Sequence, residues 1–319
     1  MIDLVYLTAV EREVEAALGR GETPAVPIIG AGEVSVVLGL SDRGEDFACK
    51  RMPRFPAGEA VPRYRELCGR YAELLTEQLG LHLPRHEVLD LDAANGQRAV
   101  YYVQERLPAA ALAHKVLAQL PTDEGVRLLE LLFGRVARLA EHNRETPHLM
   151  LGLDAQVSNW VVLPFDGARP SLPESPELWY LDTSTPFLRV DGAEQLDLEI
   201  LLSSLPAPLV PVVRLFLIGD IIQAYYEPRR ILVDVLGNLI KERLDALLPG
   251  GVAAANRVLQ ERCPWLEART ITEDEVRKFY KGNARTWELL QRLRRADRFV
   301  KRKLLRRPYP FLLPDQIER

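Results

Sequence analysis

Cysteine is scarce in this chain: there are three in 319 residues, Cys49, Cys68 and Cys263, an odd number spaced far apart. That excludes a disulfide framework and a CxxC metal knuckle, and such usage fits a reducing cytoplasm. Histidine is nearly as rare, with five in all. The one pair at a four-residue spacing, His82 and His86, is broken by Pro84, so no histidine metal site is expected. No apolar run reaches the roughly 20 residues needed to span a bilayer. The greasiest segment, Leu209 to Tyr226, is interrupted by Pro211, Arg214 and Asp220 and reads as a buried core helix. The first residues carry acids where an export signal needs a basic start and an unbroken apolar stretch, so no export is expected. Neither sign of charge prevails, with 41 Lys and Arg against 45 Asp and Glu, which excludes a chain-wide affinity for nucleic acid or a membrane surface. Internal repeats and low-complexity segments are also absent.

What the chain does have is length and periodicity. Single cores rarely grow beyond ~250 to 300 residues, so two lobes sharing a cleft are expected. Residues 1–24 read as a helical extension, with Leu4, Leu7, Val10, Val14 and Leu18 at helical spacing and Gly19 and Gly21 as stops. Residues 25–107 read as a small antiparallel strand-rich lobe. Val26 to Leu40 and Phe47 to Met52 form a hairpin across Ser41, Asp42, Arg43 and Gly44, and two further strands cover Val88 to Leu91 and Val100 to Leu107. Between these pairs, Pro62 opens a helix that Gly80 closes. Residues 108–272 read as a large helical lobe, beginning with a helix that Thr122 can cap and that runs to about His142. One hairpin interrupts it, Trp160 to Leu163 with Leu178 to Leu181, joined by a proline-rich exposed loop. Residues 273–319 form a basic helical tail with 14 Lys and Arg against 7 acids.

Several motifs lie in order along this framework. Gly30, Gly32 and Ser35 form a GxGxxS stretch that leads into another strand, whereas a dinucleotide fingerprint must lead into a helix. A glycine loop between antiparallel strands is either a plain turn or a place where backbone N–H groups cover phosphates. Lys50 follows on the next strand amid apolar neighbours, and Glu66, with Glu73 second, is the acid on the following helix that could pair with it. Tyr102 to Arg106, including Gln104 and Glu105, has the character of a hinge between lobes. Asp154 and Asn159 bracket four residues just before an apolar strand, and Asp182 ends the strand that returns.

This series resembles the protein-kinase and aminoglycoside-phosphotransferase superfamily, over about residues 26 to 190. The resemblance implies an α+β, two-lobed, protein-kinase-like fold that binds ATP and Mg. It implies that Gly30, Gly32 and Ser35 cover the phosphates, Lys50 holds them in a pair with Glu66, and Gln104 and Glu105 line the nucleotide. Asp154 would accept the proton of an acceptor hydroxyl, and Asn159 and Asp182 would bind magnesium. The expected activity is phosphoryl transfer to a small hydroxyl- or amine-bearing metabolite. The alternative is a pseudokinase, a nucleotide-binding or docking module without transfer. The pattern departs from protein kinases at Gly152, where many carry histidine, and at Thr183 and Ser184, where they carry Phe-Gly after the aspartate. The resemblance also offers Asp220 as a buried aspartate bracing the loop at Asp154 from a core helix, as in protein kinases. In the tail, arginines and lysines interleave with Phe299, Leu304 and Leu305, a pattern for contact with nucleic acid or anionic lipid, or for a solvated face balancing an acidic body.

Overall fold

Alternation along β3 (Glu45–Arg51) sets the plan of the first lobe, because it sends Phe47, Cys49 and Arg51 to one face of a sheet and Lys50 to the other. The protein's structure is a computed structural model that describes residues 1–31, 35–93, 96–202, 205, 209–214 and 218–304. In it, β1 (Ile28–Ala31), β2 (Val36–Asp42), β3, β4 (His86–Asp92) and β5 (Arg98–Glu105) form one antiparallel sheet in the order β1-β2-β3-β5-β4. Arg43 and Gly44, both at positive φ (51° and 82°), make the two-residue turn that joins β2 to β3. Such a turn matches the twist of the flanking strands.

Each face of this sheet is covered by one helix. The helix α1 (Leu4–Arg20) starts at Asp3, whose side chain accepts from Val5 N–H, and stops at Gly21 in the left-handed region. Its stripe of Leu7, Val10 and Val14 packs on Val36, Leu38, Leu40, Phe47 and Cys49. The helix α2 (Ala60–Leu79), closed by left-handed Gly80, lies on the other face, where Val61, Tyr64 and Cys68 meet Val88, Val100 and Tyr102. Farther along α2, Tyr71, Leu75 and Leu79 enter the core of the second lobe, so one helix ties the two lobes together.

That second lobe is built on α4 (Thr122–Glu145), preceded by the short α3 (Ala113–Leu117). After α4 come β6 (Leu149–Leu151), the hairpin β7 (Trp160–Leu163) and β8 (Glu177–Tyr180), then β9 (Leu188–Val190) and β10 (Ala193–Glu194). The small sheet β10-β9-β6 was not foreseen, since strands of two or three residues carry no readable period. The helices α5 (Leu198–Leu202), α6 (Val210–Val212), α7 (Ile218–Ala224), α8 (Pro228–Lys241), α9 (Leu248–Arg262) and α10 (Glu273–Phe299) follow, and Val300–Leu304 continues α10 as a π-helical turn. Of Leu209 to Tyr226, expected as one buried core helix, α6 and α7 are described on either side of residues 215–217, which lie outside the described residues, and Ile221 and Asp220 lie exposed on α7. No helix among the described residues is long and apolar enough to cross a membrane.

Candidate active site

Lys50 and Asp182 meet across 132 positions of sequence: Lys50 Nζ donates to Asp182 Oδ1 at 2.8 Å, with each side chain about one-fifth exposed. Strand β3 delivers the lysine from the middle of the sheet, paired with Val37 on one side and Tyr102 on the other. The aspartate is delivered by the hairpin, two residues beyond the end of β8. Burial pushes the Asp182 carboxyl up, but the Lys50 charge and hydrogen bonds from Lys50 and Ser184 Oγ (2.9 Å) outweigh it, leaving the group below its ordinary value.

Side chains of the first lobe hold the segment around Asp182. The Tyr102 hydroxyl and Thr183 Oγ1 lie 2.6 Å apart, the Tyr64 hydroxyl donates to Ser184 O at 2.6 Å, and Gln104 Nε2 donates to Leu181 O at 2.8 Å. From the second lobe, Leu181 N–H donates to Asn159 O at 2.9 Å, which sets the two candidate metal-binding segments side by side. Thr183 and Ser184 are almost fully buried, so these polar contacts fix the segment while meeting its own hydrogen-bonding needs. These small hydroxyl residues let tyrosines from β5 and α2 reach them.

The loop from Asp154 to Asn159 is braced from below. Buried Asn143 on α4 grips the backbone of Leu151 at both ends, donating to its carbonyl at 2.7 Å and accepting from its N–H at 2.8 Å. Gly152 donates to Phe187 O at 2.9 Å and accepts from the Tyr71 hydroxyl at 2.7 Å. A Cβ at Gly152 would stand 2.8 Å from Phe187 Cβ and 3.1 Å from Tyr225 O, which accounts for glycine where many kinases carry histidine. Farther on, Asn159 Nδ2 donates to Asp154 O at 3.1 Å and Trp160 Nε1 to Ala155 O at 3.1 Å. Gln156 is fixed by α8: its Nε2 donates to Asp234 Oδ2 at 3.1 Å and its Oε1 accepts from Asn238 Nδ2 at 3.4 Å.

The remaining sequence candidates fall unevenly around this centre. Glu66 is exposed on α2 and forms no ion pair among the described residues, so the expected Lys50–Glu66 pair is replaced by Lys50–Asp182. Glu66 lies about 200° around the helix from Tyr64, away from the sheet. Glu73 is exposed as well. The inward positions near Lys50 are Tyr64 and Cys68. Burial pushes the Cys68 thiol up to about 12, although the charge of Lys50 pulls the other way. Gly30 sits in β1 opposite Val37, and Ser35 is buried with its hydroxyl unpartnered among the described residues. Gly32 lies outside the described residues. Gln104 is committed to the interlobe bond, and Glu105 is drawn to Arg85, accepting from its Nε at 2.7 Å. Asp220 does not brace the loop. It is 74 % exposed and paired with Arg230, while Asp234 on the next helix takes that role.

Asparagine 143 and Asp234 were both missed by the sequence reading. The helical stripe Val61, Tyr64, Cys68, Tyr71 and Leu75 was the signal that could have turned Glu66 outward.

No cluster of three or more His, Cys, Asp or Glu side chains suited to a metal occurs among the described residues. Magnesium needs less than that, since it is commonly held by one or two carboxylates together with substrate phosphates and water. Asp182 and the Asn159 amide oxygen fit this donor set: both are hard oxygens, and the Asn159 nitrogen is already engaged by Asp154 O. Two hollows of about 660 and 220 Å³ open on the C-terminal helices, around Phe279 and Gln260, and neither is lined by these residues.

Strand order, the helix between β3 and β4, and the lysine–aspartate contact between the lobes define a two-lobed protein-kinase-like fold. The chain belongs to the family of unknown function DUF6206, whose model matches residues 9–298. No curated protein matches the sequence significantly. Among solved structures, WaaP in complex with acyl carrier protein is similar at 10 % identity and a TM-score of 0.34, over 82 % of this chain and 97 % of that one. APH(2")-IIia in complex with GDP and kanamycin is similar at 12 % identity and a TM-score of 0.32, over 80 % and 98 % of the two chains. A variant aminoglycoside 2'-phosphotransferase-IIIa with GDP gives 12 % and 0.33, over 83 % and 96 %. Scores this low carry no argument, and the architecture rests on the strand order and the site.

Proposed function

We propose that the protein is a magnesium-dependent, ATP-using phosphotransferase acting on a small hydroxyl- or amine-bearing acceptor. The observation that carries this reading is the 2.8 Å contact between Lys50 and Asp182, an ammonium and a carboxylate brought together from separate lobes beside the Asp154–Asn159 loop. With nucleotide bound, Lys50 would engage phosphate oxygens, and Asp182 and Asn159 would supply oxygens to magnesium. Asp154 accepts the proton of the acceptor as its oxygen or nitrogen attacks the γ-phosphorus, and ADP leaves with the bridging electron pair. Magnesium, when bound, offsets charge developing on the phosphates. The protein's own part is to orient acceptor and nucleotide through a loop that Asn143, Tyr71 and Asp234 hold still.

Calorimetry with Mg-ATP, together with ATP turnover, tests this on the full chain. The expected result is magnesium-dependent binding, lost in Lys50→Met and Asp182→Asn. Asp154→Ala should keep binding and lose turnover by on the order of 100-fold or more, the usual effect of removing a general base. Absence of Mg-dependent ATP binding by the unaltered chain overturns the proposal. A second reading, a nucleotide-binding regulatory module, is favoured by one specific observation: α2 offers Tyr64 and Cys68 towards Lys50 instead of an acid. Binding without turnover across a panel of small alcohols and amines selects that reading.

A further inference from the structure

The outward face of α10 is where exposed apolar side chains collect among basic ones. Helix α10 is anchored on its other side: Trp287, Gln291 and Arg294 are buried. Its end is tied to the first lobe, where Arg302 donates to Gly21 O at 3.2 Å and to Arg20 O at 2.7 Å, beside the left-handed cap of α1. The helix therefore presents one fixed face to solvent. At 100° per residue, Arg285, Leu289, Arg292, Ala296 and Phe299 fall within about 80° of arc, opposite the buried side. Leu289, Phe299 and Leu304 are 58 %, 59 % and 68 % exposed, and Val300 is 40 % exposed.

The charge around these side chains has one sign. Between residues 285 and 304 there are eight Lys and Arg against two acids, Glu288 and Asp297. Asp297 is already paired with Lys301 at 2.8 Å, which leaves Glu288, 4.0 Å from Arg292, as the exposed acid among Arg285, Arg292 and Lys303. In a chain whose formal net charge is −4, this is a local reversal. A basic face alone would suit any polyanion. Large apolar side chains standing out between the basic ones gain nothing from a phosphodiester backbone, but they can enter the acyl boundary of a bilayer whose anionic headgroups meet the arginines. Because no described helix can span a bilayer, the contact would lie on the surface.

We propose that the outward face of α10 docks the protein on an anionic lipid surface, with Leu289, Phe299, Val300 and Leu304 entering the headgroup boundary and Arg285, Arg292 and Lys303 engaging the lipid phosphates. This rests on α10 alone and stands whether or not the chain transfers phosphate.

Flotation of the full chain with phosphatidylcholine vesicles containing 30 mol% phosphatidylglycerol tests it, and phosphatidylcholine vesicles and a duplex RNA of mixed sequence serve as comparison probes. Binding to the anionic vesicles is expected, with little to the neutral ones. Each basic residue near such a surface is worth about a five-fold change in affinity, so replacing Arg285, Arg292 and Lys303 together by glutamine should weaken binding on the order of 100-fold. Phe299→Ser with Leu289→Ser should weaken it on the order of ten-fold while leaving the salt dependence unchanged, because only the apolar part is lost. Both sets lie on exposed positions, and circular dichroism with an unchanged thermal midpoint checks that the fold is kept. Failure to float with anionic vesicles overturns the proposal. So does binding that is indifferent to the Phe299 and Leu289 changes, or RNA binding tighter than vesicle binding, which would mark α10 as a polyanion-binding face instead.

Discussion

Replacing Glu11 with alanine removes one side of a buried ion cluster and strands the other. The Glu11 carboxylate, on a residue 4 % exposed, accepts from Arg51 Nε at 2.9 Å and Nη2 at 2.8 Å, from Arg54 Nη2 at 2.8 Å and from the Tyr101 hydroxyl. Arg54 keeps a close partner in Glu15, whereas Arg51, 7 % exposed, is left with Glu15 only at 3.8 Å. Breaking a buried pair from one side costs about 3 to 5 kcal/mol, because the remaining charge stays desolvated without its counter-ion. Glu11→Ala is therefore expected to lower stability by about 3 kcal/mol, the low end, since the distant Glu15 offsets part of the loss. Glu11→Met with Arg51→Met should cost much less than the two single changes added together, as neither leaves a charge behind. Urea unfolding followed by far-ultraviolet circular dichroism measures both, with the slope checked for constancy. A loss below about 1 kcal/mol for Glu11→Ala would show that water reaches the cluster and that α1 does not clamp the strand carrying Lys50.

Two further outcomes can be read by the same titration. Gly152→Ala pushes a methyl group against Phe187 and the Tyr225 carbonyl and should destabilise by about 1 to 3 kcal/mol. Gly69→Ala, on α2 with nothing within 4 Å, should be neutral or stabilising by up to about 1 kcal/mol, and equal effects at the two sites would refute the packing account. Asp182 and Glu11 both have carboxyls held below their ordinary values of 3.8 and 4.5. A depressed native pKa gives stability that is complete above the ordinary value and disappears as pH falls through the native one. The urea midpoint should therefore fall as the solution is acidified below about pH 4.5, and Lys50→Met should make that fall shallower by removing the cause at Asp182. An unchanged acid slope in Lys50→Met would contradict the pair.

Much of the local structure was legible in the residues. Helix α2 was expected from Pro62 to a stop at Gly80 and runs Ala60–Leu79 with Gly80 as its left-handed cap. The hairpin of β7 and β8 appears within one residue of its expected arms, and the turn at Arg43 and Gly44 lies where β2 meets β3. These features are set by neighbours a few positions apart, through apolar spacing, φ preference and capping. The Lys50–Asp182 contact was only an expectation of convergence, and Glu66 was assigned a partner that its face of the helix denies it.

The residues by themselves determined the elements, their order, and the side chains available for chemistry, because each depends on forces acting over one or two turns of chain. Tertiary structure alone decided which of them touch. It brought Lys50 of β3 against Asp182 beyond β8; it chose Asp234 over Asp220 to hold Gln156; and it laid α1 on the sheet so that Glu11 reaches Arg51. Such choices follow from how apolar faces close over one another, and a polar partner is selected by whichever groups that closure leaves desolvated within reach.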